Sequence, residues 1–318
     1  MTQMQARIMT PNNKKKGLSA VFRYIFVNRY FYALMMPGLI YLIIFRYYPM
    51  YGILMAFKDF SFAKGIIASP WNDFANFKQL FQSTVFFDVL RNSVVLSVLR
   101  IVWGFPIPII LALLINEIRA MPYKRTTQTL MYLPHFISWV VAAGIITSAL
   151  SPSTGIINQV LNVFGVEPVF FLAKKEYFRV IIVLSAMWKE LGMQAIYYIA
   201  ALGSIDQQLY EAAYMDGAGK LKQIWHVTLP GLVPMIIVLL VLKVGSLVTI
   251  GFEQIFLLYN PLVYSVGDVL STYTYRLGIE NANFSLTASI GLTQSAVNFL
   301  LVYSANKIAR KVVGWSLW

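Results

Sequence analysis

Three groups of polar side chains stand at helical spacing inside apolar runs. In "SAMWKELGMQAIYYI", Glu190, Gln194, Tyr197 and Tyr198 fall at i, i+4, i+7 and i+8, with Lys189 beside the stripe. Lys243, Ser246, Glu253 and Gln254 fall at i, i+3, i+10 and i+11 of a later run, and Thr287, Gly291, Gln294 and Asn298 share a face of the last one. Such spacing gathers side chains onto one side of a helix. Ionisable groups within a membrane are expensive and face a bundle interior or a cavity. Tyr, Gln and Asn both donate and accept hydrogen bonds, which suits sugar hydroxyls. Lys189, Lys243 and the mid-span Arg100 would attract the carboxylates of a uronate polymer. The same groups can instead hold helices to one another, and Lys189 can neutralise Glu190 or pair with Glu253.

Other chemistries find no residues to carry them. The chain has no Cys, and its two His, His135 and His226, lie far apart. Thiolate metal sites, Cys nucleophiles and His clusters are therefore excluded, and no metal site is expected. No GxxxxGK[ST] phosphate loop occurs, so this chain does not hydrolyse ATP by that route. An intramembrane enzyme lacks a catalytic constellation.

The elements that must position the stripes are membrane spans. Of 318 residues, 58% are hydrophobic and 12% charged, against about 25% charged in soluble domains. The chain is an all-α integral membrane protein. Six runs are long enough to cross a bilayer: roughly 30–56, 88–115, 127–149, 179–202, 231–258 and 286–306. The first, "YFYALMMPGLIYLIIF", is too long for a signal peptide and is read as a retained span. The second contains "FPIPII" and is read as one kinked span, since packed neighbours tolerate proline in a membrane helix. Segments 57–87, 150–178 and 259–285 carry aromatics and turn formers and are read as short ordered caps.

The net charge of +13 reflects topology rather than nucleic-acid binding. With both termini cytoplasmic, fourteen Lys and Arg fall in inner segments and six in outer loops, the bias that retained loops show. The resulting division is a basic N-terminal segment 1–29, a six-span domain 30–306 that includes a cytoplasmic loop 203–230, and a C-terminal tail 307–318.

That loop is punctuated. Ser204-Ile205-Asp206-Gln207 fits a capping box with Ser at the N-cap. Ile205, Leu209 and Ala212 share the face of a first helix, Asp216-Gly217 supplies its stop, and a second short helix follows. Pro230 then fits the first turn of the fifth span.

The stretch "EAAYMDGAGKLKQIWHVTLP" resembles the EAA motif of permease subunits of binding-protein-dependent ABC importers. Glu211, Ala212, Ala213, Gly217, Val227, Leu229 and Pro230 stand at the motif's positions, with Val227 where the pattern has Ile. "RNSVVLSVL", "YLPHFIS", "SPWNDFANFKQLF" and the terminal "SLW" extend the likeness to the carbohydrate-uptake branch, its oligosaccharide and polysaccharide subgroup, and within it to the permeases of alginate importers. The resemblance implies the six-helix fold of a type I importer permease in the bacterial inner membrane. It implies that residues 203–230 are a coupling helix pair gripped by a separate ATPase. Glu211 would then make the polar contact, Ala212 and Ala213 the close packing, and Asp216 and Gly217 the turn, with Leu229 and Pro230 leading into the span. The implied partners are a second, different permease, two ATPase subunits holding ATP and Mg, and an extracytoplasmic solute-binding protein; no cofactor is expected on this chain. The alternative is a stand-alone secondary carrier, against which stand the absence of a clear internal repeat and the small number of spans.

Overall fold

A computed structural model describes residues 24–314, 316 and 317. Arg7, Lys14, Lys15, Lys16 and Arg23 of the basic N-terminal segment lie outside the described residues. Among the described residues there is no strand; a single antiparallel bridge joins Lys58 to Trp71. The chain divides into residues 1–54 and 55–318.

In the first unit, α1 (Arg29–Leu42) contains Pro37 and passes into a π-helical turn, Ile43–Tyr47. The whole of Arg29–Phe57 is apolar and long enough to span a bilayer. Most of its large hydrophobic side chains from Tyr30 to Ile53 are exposed, as a lipid-facing helix requires.

The second unit opens with a cap. The buried Lys58 ammonium donates to the carbonyls of Ile66 (2.9 Å) and Ile67 (2.7 Å) and faces the Trp71 ring at 5.4 Å. Beyond it lies α2 (Ala75–Gln82), whose Asn76 amide donates to the carbonyls of Ala56 and Lys58 at 3.0 and 3.1 Å. This cap is ordered because its polar groups are spent on its own backbone.

Ser83 starts α3 (Thr84–Gly104), accepting from the Phe86 amide. α4 (Pro106–Asn116) follows directly, so "FPIPII" interrupts a single 33-residue span. Near the start of α3, Asn92 donates to the Ser265 carbonyl (3.1 Å) and accepts from Arg179 (2.8 Å), while Ser93 accepts from the Leu270 amide at 2.9 Å. The polar pair in "RNSVVLSVL" thus anchors a cap from a later part of the chain.

The third span is not the uninterrupted run expected from 127–149. α5 (Met121–Phe136) and α6 (Trp139–Ala149) meet at 97°. Ile137 and Ser138 are extended, with ψ of 133° and 154°. Ser138 caps α6 by accepting from the Val141 amide. Hydropathy sees apolar residues on both sides and misses two residues of extended backbone.

After α7 (Ile156–Val163), the 28-residue α8 (Lys175–Leu202) runs through the middle of the bundle. It packs on α3, α4 and α5 and on the later helix of the fifth span, Leu229–Gly245. Helices in lipid associate through small residues that let backbones approach. Gly192 is the sharpest case: a Cβ there would stand 1.9 Å from the Met131 carbonyl oxygen of α5.

α9 (Gln207–Met215) leads to α10 (Lys220–Gln223), a π-helical turn at Ile224–Thr228, and α11 (Leu229–Gly245). The last three form one unbroken 26-residue helix. The expected fifth span, 231–258, instead ends at Gly245. Ser246 bonds back to the Lys243 carbonyl at 3.1 Å, the local competition by which Ser unseats helix hydrogen bonds. α12 (Phe252–Leu258) starts afresh after Gly251. α13 (Leu270–Tyr275) belongs to a cap, and α14 (Phe284–Val313) is the last span, continuing past residue 306.

Candidate functional site

A cavity of about 150 Å³ opens between α3, α8 and α11. Its charged lining residues are Arg100, Glu190 and Lys243, joined by Gln194, Ser97, Ser246 and Thr249. Each helix contributes through its period: Ser97 and Arg100 lie one turn apart on α3, and Glu190 and Gln194 one turn apart on α8.

The polar groups are wired together. Gln194 donates to Glu190 Oε2 (3.1 Å) and accepts from Lys243 Nζ at 2.9 Å, so one amide stands between a carboxylate and an ammonium. Lys243 also lies over the Phe105 ring at 5.9 Å. Arg100 donates through Nη2 to Gln254 Oε1, while its Nε is buried without a hydrogen-bond partner. Gln254 is itself locked, donating to the Ile182 carbonyl (2.8 Å) and to Ser185 Oγ (2.7 Å).

The three stripes separate into different roles. Glu190, Gln194 and Lys243 line the cavity and Gln254 braces it from behind. Lys189 does not line it, and pairs with neither Glu190 nor Glu253. It is buried, donates to the His135 carbonyl at 2.8 Å and lies over Trp139 at 5.4 Å. It therefore caps the end of α5 at the bend, where a cation suits unsatisfied carbonyls. Tyr198 packs in an apolar cluster with Ala112, Ala195, Leu202 and Leu232, and Tyr197 is exposed on the other side. Glu253 is exposed, because the break after Gly245 destroys the register with Lys243 that a continuous helix would have kept. Gln294 donates to the Val248 carbonyl and Thr249 Oγ1 (both 3.1 Å), and Asn298 donates to Thr249 Oγ1 at 2.9 Å. These two residues hold the broken segment of the fifth span to α14. Sequence reasoning missed Thr249 as their common partner; the Gly, Ser and Thr punctuation of "GSLVTIG" was the available signal.

At one end of the bundle, loop 203–230 forms an elbow. Asp206, not Ser204, caps α9, accepting from the Gln208 amide at 3.0 Å. Ser204 donates instead to the Ala201 carbonyl, closing α8. Glu211, Ala212 and Asp216 are exposed and Ala213 is partly so. α9 ends in a Schellman turn: the Gly217 amide donates to the Tyr214 carbonyl and the Ala218 amide to the Ala213 carbonyl, both at 2.9 Å, with Gly217 at φ +73°. Left-handed geometry of this kind favours glycine.

The elbow is fastened to the rod that follows. Tyr210 and Thr228 hydroxyls bond at 3.0 Å, and Ile205 covers Gly231, where a Cβ would meet its Cδ1 at 2.7 Å. Lys220 pairs with Glu117 at the end of α4 (3.0 Å). Pro230 does lie in the first turn of α11, yet the helix does not start there: Val227 and Thr228 sit in the π-turn, which carries it through from Lys220 to Leu229. Glu117, Tyr210 and Thr228 were not singled out from sequence, since their partners are distant in the chain.

Residues 104–314 match the model of the family described as "Binding-protein-dependent transport system inner membrane component". The chain is 44% identical over 284 residues to Protein LplB of Bacillus subtilis (strain 168), covering 89% of each. It is 41% identical over 298 residues to the polygalacturonan/rhamnogalacturonan transport system permease protein YteP of the same organism, covering 94% of this chain and 93% of that one. A crystal structure of a bacterial alginate ABC transporter in complex with an alginate pentasaccharide-bound periplasmic protein contains a chain that superposes with a TM-score of 0.86 at 41% identity, covering 93% of this chain and 99% of that one. With the cavity and the EAA elbow in place, the chain belongs to the family of binding-protein-dependent transport system inner membrane components and has the fold of a type I ABC importer permease.

Proposed function

We propose that this permease forms half of the translocation path of an ABC importer for an oligosaccharide or polysaccharide, alginate being the example its solved neighbour supplies. The observation that carries the reading is the polar cavity between α3, α8 and α11 inside an otherwise apolar bundle. At about 150 Å³ it lies below the roughly 300 Å³ at which ligand pockets begin. That suits one wall of a path completed by a second permease. The exposed elbow 204–219, rigidly fastened to α11, is the surface for a separate ATPase subunit, which holds ATP and Mg. An extracytoplasmic binding protein delivers the saccharide, in line with the periplasmic protein in the neighbour's complex. The charge bias supports a cytoplasmic position for both termini and the elbow.

Transport by the complete complex in liposomes tests this. Saccharide accumulation should require the ATPase subunits and hydrolysable ATP. Accumulation driven by an ion gradient in their absence would make the chain a secondary carrier instead.

A further inference from the structure

We propose that Arg100 and Lys243 form a subsite for one carboxylate of an acidic sugar, with Glu190 accepting from a hydroxyl of the same or the next ring. This rests on the importer reading above and adds the charge of the substrate to it.

The cavity holds two cations and one carboxylate, so its own charges do not cancel. Among the described residues the ion pairs are Lys220–Glu117 and Arg276–Asp268; Glu190 is paired with neither cavity cation, because Gln194 stands between it and Lys243. Membrane-embedded charges normally find partners within the bundle. Here the cationic excess is left facing the open space.

The donor count points the same way. A guanidinium has five N–H donors and an ammonium three. Arg100 gives one to Gln254, and its Nε is buried with no partner. Lys243 gives one to Gln194. Arg100 and Lys243 both line the cavity, and Gln254, held by Ile182 and Ser185, fixes the guanidinium from behind. A fixed guanidinium beside a second cation is suited to a carboxylate, which accepts two parallel N–H bonds. Glu190 has one oxygen bonded to Gln194 and can take a sugar O–H on the other. A neutral sugar would satisfy the hydroxyl acceptor and leave the cations unpaired; a uronate satisfies both.

The test uses the complete transporter with its binding protein in liposomes. The probes are an alginate pentasaccharide, trigalacturonate, and each of these with its carboxyls reduced to hydroxymethyl groups. Lys243→Gln and Arg100→Gln should each lower kcat/KM for the uronate probes about tenfold, the size of one charge-assisted hydrogen bond. Glu190→Gln keeps an oxygen that can accept the sugar O–H but removes a charge that repels the incoming carboxylate, so it should lower KM for the same probes by about fivefold. Misfolding does not lower KM, so this opposite sign separates the subsite from general damage and stands even if Arg100→Gln fails to assemble. Uronate uptake at wild-type efficiency by Lys243→Gln, or a raised KM in Glu190→Gln, would overturn the subsite. So would equal losses on uronate and carboxyl-reduced probes. In each of those cases the importer reading survives. Only the absence of ATP-dependent saccharide uptake by the wild-type complex would remove that reading itself.

Discussion

Gly217→Val isolates the backbone contribution of the elbow. Gly217 sits at φ +73°, and a Cβ placed there meets nothing within 4 Å. The substitution therefore adds no clash with its surroundings, and its cost is conformational. Left-handed geometry costs a non-glycine residue about 1–2 kcal/mol, and Val, being β-branched, is a marked outlier at positive φ. That energy corresponds to roughly a 5–30-fold loss in the population of the closed turn. With the turn open, the bonds to the Tyr214 and Ala213 carbonyls are lost and α9 is no longer set against α10. The assay compares purified complexes at matched permease content, measuring retained ATPase subunits and substrate-stimulated hydrolysis. Both should fall within that range in Gly217→Val. Gly217→Asn should stay within about threefold of wild type, because Asn tolerates the left-handed region. Full retention by Gly217→Val would refute the claim that the turn sets the docking surface. Equal damage from Asn would show that something other than backbone geometry is at stake.

Two further outcomes follow from other parts of the structure. Gly192→Ala places a methyl 1.9 Å from the Met131 carbonyl; backbone cannot swing aside, so a loss of about 1–3 kcal/mol is expected, visible as earlier thermal unfolding in detergent. An unchanged midpoint would mean that α5 and α8 do not cross so closely. For orientation, single Cys residues at Met215 and Ser153, both exposed and in a Cys-free chain, should react differently with an impermeant thiol reagent on intact cells: Ser153→Cys labels and Met215→Cys does not. The reverse pattern would invert the topology.

Much of the fold was legible because its driving force is one-dimensional. A run of about twenty apolar residues must cross a bilayer wherever it packs, and among the described residues five such helices, or six with the bent pair, are present. The breaks were harder to read, because local signals such as Ser138 and Ser246 act together with side chains distant in the sequence. The bend at Ile137 and Ser138 is stabilised by Lys189, some fifty residues on, and the gap after Gly245 by Gln294 and Asn298 on the last helix. The same blindness hid how the stripes divide in the structure. Lys189 and Glu190 are adjacent, yet one turns to a carbonyl of α5 and the other to the cavity. Tyr198 is polar only at its tip and packs by its ring. Glu253 was placed on a face by a period that the broken helix does not sustain. The elbow was read more closely because its signals, an Asx cap and a glycine stop, act within a few residues. Even there, sequence favoured Ser204 over Asp206 as the cap.

The helix from Lys220 to Gly245 has no loose joint: the π-turn shifts its register by a residue but leaves it continuous. Lys220 and Lys243 are therefore the two ends of a lever arm about 35 Å long at 1.5 Å per residue. A partner that grips the elbow and tilts this arm by about 10° sweeps Lys243 through an arc of about 6 Å. Arg100 is on a different helix, tethered to Gln254, and does not ride on that arm. On the proposed coupling, the spacing of the two cations would follow the angle of the elbow, and a few degrees at one end of the protein would open or close the proposed grip on a charge at the other.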